Sequence, residues 1–186
     1  RPDLIWLGNV FFALGHTGLR IGELASLKWK NIDSTMNWIH LIDESARHST
    51  LKNAVTTKSG KSRSLPIQEC LEKLLLGLPR NSEHVFLNEK KQSLKPAKIR
   101  DLIKKAVIEP LLKERPSLKK DPRFATARLH SFRHYFISMC ARERDISIMT
   151  LMDWVGHQNS EMIRYYFHQN NPESLRQINK ITFMKT

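Results

Sequence analysis

The sequence predicts a mainly helical α+β domain with one small three-stranded antiparallel β-sheet. Three observations lead to this fold class. Apolar residues recur at helical spacing over most of the 186 residues. One block, residues 38–67, instead holds short β-prone runs separated by turn residues. The chain contains no internal repeat, low-complexity tract or linker, so we expect residues 1–186 to form a single domain.

Two consecutive helices are predicted in the N-terminal region. The apolar run from Leu4 to His16 is shorter than a bilayer span and lacks the basic leader and cleavage site of a signal peptide, so we interpret it as a core helix. Gly18 can adopt the left-handed conformation that ends helices. A second helix is predicted over residues 20–30.

The β-prone block contains three short runs, at residues 38–42, 53–57 and 63–67. Ser59 and Gly60 lie between the last two runs and are typical of a hairpin turn. These features predict the three strands of the sheet.

The remainder of the chain is predicted to be helical. One helix begins near Gln68 and stops at Gly77, and another enters near Pro96 and is interrupted at Pro110. We interpret the basic, proline-punctuated segment 113–128 as a surface loop facing DNA, and a solvated and partly disordered loop is the alternative. Further helices are predicted over residues 130–144, 146–155 and 161–169, and a short amphipathic helix in the tail, residues 172–186.

The composition indicates a polyanionic partner. Lys and Arg number 31 against 18 Asp and Glu, which gives a formal net charge of +13. Neutralising phosphates with such charges releases condensed counterions, which favours nucleic-acid binding. A solubilised surface, a ribosome-associated protein and a membrane-surface binder remain alternatives on composition alone. Cys70 and Cys140 lie far apart in apolar stretches, and we expect buried, unbridged thiols of a reducing cytosol.

Two arginines are candidates for stabilising negative charge on a phosphate. The planar, permanently charged guanidinium matches two phosphate oxygens, which favours Arg20 and Arg133 over the many lysines. His130 and Arg133 are predicted to share the first turn of a helix, where unpaired N–H groups attract phosphate and favour a neutral imidazole. His130 and His134 have the spacing of a zinc pair, but Ser131 replaces the glutamate of the metalloprotease motif, so we expect no metal.

The other candidates remain open on residue chemistry alone. Glu23 has the spacing either to orient Arg20 or a nearby imidazole by hydrogen bonding, or to be an exposed helix glutamate. Lys58 and Lys61 lie on opposite sides of a predicted turn, and either could donate a proton to a leaving oxygen. Tyr165 and Tyr166 are rival nucleophiles in an aromatic helix that core packing would also explain.

Taken in order, these motifs resemble the tyrosine recombinase, or phage integrase, family. The resemblance rests on the segment Thr17–Leu24 with Arg20, Lys58 before a hairpin glycine, His130 with Arg133, Gly156 with His157, and Tyr166, and it extends over nearly the whole chain. It implies the catalytic-domain fold of that family. It also implies that the chain is the C-terminal part of a longer recombinase whose separate DNA-gripping domain precedes it.

The resemblance further implies a site and a reaction. The catalytic residues would be Arg20, Lys58, His130, Arg133, His157 and Tyr166, with Glu23 supporting the first arginine. The family spacing selects Tyr166 over Tyr165. The implied reaction is metal-independent DNA strand cleavage and rejoining through a 3′-phosphotyrosine, for integration or excision of a mobile element, and no cofactor is needed.

Double-stranded DNA is the expected partner, in the cytoplasm with the nucleoid. The expected assembly is a homo-tetramer on two duplexes, whereas the isolated domain would be monomeric. We assign DNA contacts to six basic residues: Lys61, Arg63, Lys119, Lys120, Arg123 and Arg128. The alternatives are a related tyrosine enzyme that resolves chromosome dimers or relaxes DNA, and a non-catalytic DNA-binding domain.

Overall fold

A computed structural model describes residues 2–42, 62–121, 124, 127–143 and 145–156. Its two longest helices form the centre of the fold. Helix α1 is Ile5–Thr17 and packs against helix α6, His130–Cys140. The buried side of α1 is a stripe at helical spacing that includes Leu7, Val10 and Leu14. The rings of Phe11 and Phe132 stack across this helix pair with centroids 5.3 Å apart.

The first helix ends as the sequence predicts. Gly18 is the C-cap of α1, with φ 62°, and its N–H donates to the Leu14 carbonyl. The second predicted helix is shorter than expected, because α2 covers only Ile21–Ala25. Beyond it, the backbone N–H of Trp29 donates to Glu83 O, and that of Val85 donates to Leu27 O. These bonds to a distant segment replace the local helical bonds, and only a 3₁₀ turn forms at Trp29–Asn31.

The described part of the sheet has two strands, β1 (Trp38–Leu41) and β2 (Arg63–Pro66), paired antiparallel. Ile39 lies opposite Leu65, and both are buried in the core. The third predicted strand, residues 53–57, lies outside the described residues, as does the predicted hairpin turn. Strand β2 packs against helix α7, Ile148–Val155.

The central helices differ from the sequence prediction at one point. Helix α3 is Glu69–Leu76, and α4 is Pro96–Ile103 with its proline in the first turn. Pro110 does not interrupt the helical path, because the preceding turn, Lys104–Ile108, widens to a π-helix that continues into α5. Proline lacks an N–H and clashes with the carbonyl four residues earlier, and a wider turn relieves both problems.

The segment predicted as a loop at residues 113–128 is partly regular. Helix α5 covers Glu109–Glu114, and a 3₁₀ turn covers Pro116–Lys120. Lys119 and Lys120 are exposed there.

Both cysteines are free thiols. Cys140 is buried as expected, and burial raises its pKa to about 11. Cys70 is exposed, contrary to the prediction. Within the described ranges, we find no helix that is long and apolar enough to cross a membrane.

Gly18 provides a test of the corner that joins α1 to α2. An added Cβ would lie 2.5 Å from Cδ1 of Phe136, and the positive φ strains any residue with a side chain. We expect Gly18→Ala to lower the free energy of unfolding by at least about 1–2 kcal/mol, measured by thermal or urea unfolding.

Gly8→Ala is the matched control, since Gly8 lies within α1 and an added Cβ there meets nothing within 4 Å. We expect this variant to be neutral or stabilised by about 0.5–1 kcal/mol. Equal unfolding midpoints for the two alanine variants would contradict the packing of Phe136 on Gly18.

Candidate functional site

Arg133 lies in the interior of the fold, behind the corner at Gly18. Its side chain is only 1% exposed, because it shares the buried stripe of α6 with Phe136 and Ile137. One terminal nitrogen, Nη1, donates to the Gly18 carbonyl at 2.7 Å, and the other, Nη2, donates to the carbonyl of Val155. Arg133 therefore connects α6 to the end of α1 and to the end of α7.

Arg20 lies two residues beyond the carbonyl that Arg133 binds, so the structure brings the two predicted arginines to the same region. The backbone N–H of Arg20 donates to Oε2 of Glu23 at 2.8 Å, and its Nη1 donates to Oε1 at 3.1 Å. The Arg20 side chain is 26% exposed. Glu23 thus orients Arg20, as one of the two sequence interpretations held, and it is not an exposed helix glutamate, since its side chain is 8% exposed.

A third arginine completes this cluster. Nη2 of Arg63 lies 2.9 Å from Oε2 of Glu23, and the side chain of Arg63 is 6% exposed. Its buried position does not favour the direct DNA contact that we expected from the sequence. Sequence analysis could not identify Arg63 as a buried partner of Glu23, because a basic residue beside a predicted hairpin is equally typical of a DNA-facing surface.

The charges of the cluster are unbalanced. Burial by itself raises the pKa of Glu23. The charge of Arg63 and the hydrogen bonds from Arg63 and Arg20 lower this pKa by more than burial raises it, so the net pKa lies below its usual 4.5. Burial lowers the pKa of Arg133 to about 10, and the charges of Arg20 and Arg63 add to this effect while Glu23 opposes it. Arg133 therefore remains cationic at neutral pH. Three guanidinium groups lie in this cluster with one carboxylate, and the excess positive charge favours an anion.

An open pocket of about 550 Å³ lies beside this cluster. Arg20, Glu23 and His130 contribute to its lining, together with the exposed residues Arg100 and Arg128. Arg100 is a pocket residue that sequence analysis missed, because it appeared only as one of several basic residues on a predicted helix. The exposure of Arg128 agrees with the surface position expected for it.

His130 is the first residue of α6, as predicted, and it is exposed at the pocket while Arg133 is buried. The two residues therefore lie in the same helical turn, but His130 is exposed and Arg133 is buried. The ring of His130 packs edge-on against His134, with centroids 4.9 Å apart. Among the described residues, no group of three or more His, Cys, Asp or Glu side chains is arranged to hold a metal ion.

Several predicted site residues lie outside the described residues: Lys58, Lys61, Arg123, His157 and Tyr166. Gly156, directly before His157 in the chain, is described. It is the C-cap of α7, with φ 64°.

Three solved structures share the fold of this chain. The Tn1549 transposon integrase in complex with a circular intermediate DNA is 20% identical, with a TM-score of 0.65, over 92% of this chain and 58% of that one. XerH recombinase bound to its difH substrate is 16% identical, with a TM-score of 0.63, over 100% and 49%. XerA recombinase is 21% identical, with a TM-score of 0.55, over 92% and 57%. This chain therefore spans about half the length of these proteins.

The sequence itself matches the model of the phage integrase family over residues 2–173. The chain belongs to the phage integrase family. No curated protein sequence matches it significantly.

The carboxylate of Glu23, which Arg20 and Arg63 share, predicts how the free energy of unfolding depends on pH. Because the pKa of Glu23 is lower in the folded chain than its usual 4.5, its stabilising effect is fully present above about pH 4.5 and is lost as the pH falls through the folded value. We expect Glu23→Gln to cost about 3 kcal/mol of unfolding free energy at pH 7, since it leaves buried guanidiniums unpaired. The difference from wild type should shrink below about pH 4.5.

Glu69→Gln is the control for this measurement. Glu69 forms an exposed pair with Lys73, so its loss should change unfolding little at any pH. The measurement is urea unfolding at several pH values. A Glu23→Gln variant as stable as wild type at pH 7 would contradict the assigned pairing.

Proposed function

We propose that this chain is the catalytic part of a site-specific DNA recombinase, which cleaves and rejoins DNA strands for integration or excision of a mobile element. The observation that carries the proposal is a basic pocket lined by Arg20, Glu23 and His130, with Arg133 buried behind it. Family membership and the DNA-bound relatives support the same conclusion.

The proposed reaction begins with attack by the hydroxyl oxygen of Tyr166 on the scissile phosphorus. His130 accepts the phenolic proton, the bond from phosphorus to the 5′ oxygen breaks, and Lys58 donates a proton to that oxygen. The products are a 3′-phosphotyrosine and a free 5′-hydroxyl. Attack by the 5′-hydroxyl of another strand reverses these transfers and releases Tyr166, so the bond energy is conserved and neither metal nor nucleotide is consumed.

The arginine cluster supplies the electrostatic part of this mechanism. Charge builds on the nonbridging oxygens during in-line displacement, and preorganised donors stabilise it. Arg20 lies at the pocket with its guanidinium already oriented by Glu23. Arg133 is buried behind it, with Nη1 and Nη2 bound to backbone carbonyls, so we propose that it stabilises the same oxygens through its fixed positive charge. We assign His157 to contact these oxygens.

Double-stranded DNA is the proposed partner. Lys119, Lys120 and Arg128 are exposed and are assigned, with Lys61 and Arg123, to backbone contacts that position the duplex. We propose a homo-tetramer on two duplexes as the active assembly, in the compartment that holds the DNA. The alternative within the same chemistry is a related tyrosine enzyme that resolves chromosome dimers or relaxes DNA.

Covalent trapping tests the proposal. Short nicked duplexes tiled across the DNA that flanks the reading frame serve as suicide substrates, and denaturing gels detect a protein–DNA adduct. We expect an adduct with wild type and with Tyr165→Phe, and none with Tyr166→Phe, which should still bind DNA. Chelator should leave the adduct unchanged. Absence of an adduct on every duplex, with DNA binding intact, would instead support the non-catalytic alternative.

Arg20 provides a quantitative test on a duplex that forms the adduct. Loss of one preorganised charge-stabilising donor typically costs on the order of 10²–10³-fold in rate, and we expect Arg20→Gln to slow adduct formation by this amount in single-turnover kinetics. The control is Arg80→Gln, because Arg80 lies over the ring of Trp29 and does not line the pocket. Equal rates for the two variants would refute the role of Arg20.

A further inference from the structure

Arg63 makes contacts in two directions from the first position of β2. Nη2 pairs with Oε2 of Glu23 at 2.9 Å, and Nε donates to the backbone carbonyl of Trp154 at 3.0 Å. Nη2 of this guanidinium therefore contacts the carboxylate that orients Arg20, while Nε of the same guanidinium contacts the last turn of α7. These contacts span 40 and 91 residues of sequence, so only the tertiary structure brings them together.

Gly156 allows this arrangement by its lack of a side chain. A Cβ at this position would lie 3.0 Å from Nη1 of Arg63 and 3.1 Å from both its Cδ and Cζ. These separations are shorter than ordinary van der Waals contacts, so the guanidinium packs directly on the glycine backbone. The next residue in the chain is His157.

The contacts require the shape of arginine as well as its charge. A guanidinium holds its five N–H donors in a rigid plane, so Nε and Nη2 can serve two acceptors at once. A lysine ammonium is a single point on a flexible stem, and it cannot reproduce this fork. Nη1 of Arg63 is buried and has no hydrogen-bond partner among the described residues.

We propose that Arg63 is a positioning residue for strand cleavage. It fixes Glu23, and through it Arg20, relative to the end of α7 from which His157 follows. It acts through these neighbours and does not contact DNA, which replaces the role we expected from the sequence. This inference rests on the proposed recombinase function.

The geometry distinguishes this role from a simple charge effect. If Arg63 contributed only its positive charge, lysine would replace it. If it bound a DNA phosphate, its removal would weaken DNA binding and reduce the dependence of binding on salt. A positioning residue predicts neither result, because its loss disturbs the geometry of the site while the DNA contacts remain.

The experiment compares Arg63→Lys and Arg63→Gln in two assays. The first is single-turnover adduct formation on a nicked duplex that wild type cleaves. We expect both variants to react on the order of 10²-fold more slowly, the size of effect produced by a displacement of about 1 Å at a reacting centre. Circular dichroism and thermal unfolding establish that each variant is folded.

The second assay measures binding to a random-sequence duplex at several salt concentrations. Each phosphate contact contributes about 0.9 to the slope of log affinity against log salt. We expect Arg63→Gln to retain the wild-type slope and an affinity within about threefold of wild type. The control is Lys119→Gln, at an exposed lysine, and its slope should fall by about the contribution of one phosphate contact. A wild-type cleavage rate for Arg63→Lys, or a reduced slope for Arg63→Gln, would overturn the inference.

Gly156→Ala is an independent route to the same displacement, and if the Arg63 variants do not fold, a wild-type rate of adduct formation by Gly156→Ala alone would overturn the inference. It should slow adduct formation, and adding Arg63→Lys should slow it little further, because both changes remove one arrangement. Full additivity would refute the coupling. Absence of any adduct with wild type would reject the recombinase proposal and this inference together, whereas cleavage by wild type with unaffected variants would reject this inference alone.

Discussion

The site depends on one carboxylate that two arginines share. Glu23 binds Arg20 through one oxygen and both Arg63 and the backbone N–H of Arg20 through the other. Without this carboxylate, the guanidiniums of Arg20, Arg63 and Arg133 would repel one another in a poorly solvated region. With it, the cluster is stable enough to fold but retains excess positive charge. A site in this condition is preorganised for an anion, and in the proposed function that anion is a phosphodiester.

The backbone around the cluster is arranged by the same residues that form the core. Arg133 occupies a position on the buried stripe of α6 that an apolar residue would normally fill. Its hydrogen bonds to the carbonyls of Gly18 and Val155 satisfy two helix ends that would otherwise need other partners. The left-handed turns at Gly18 and Gly156 expose those ends to it. Arg133, for which we propose a catalytic role, is thus a structural connection between α1, α6 and α7.

The pocket separates the groups by exposure. Arg20 and His130 line the pocket, whereas the side chains of Arg133 and Arg63 are buried. Exposed donors can contact a phosphate directly, and buried cations act through a lower dielectric, where their fields are less screened. Arg100 and Arg128 add exposed positive charge to the lining of the pocket and are suited to longer-range attraction of a polyanion.

Sequence analysis predicted the mainly helical fold with a small antiparallel sheet and the limits of α1, β1 and β2 to within a residue or so. It also singled out Arg20, Glu23, His130 and Arg133, which the structure places in one region. These features follow from local periodicity, from turn residues and from short motifs, which are all carried by neighbouring residues. Sequence analysis placed the end of α2 too late and expected a break at Pro110, because tertiary hydrogen bonds and a π-helical turn decided those points. Only the tertiary structure showed that Arg63 is buried against Glu23 and Trp154, and that Arg100 lines the pocket. The physical reason is that charge and spacing along a chain do not reveal whether a basic side chain meets solvent or a carboxylate from a distant segment.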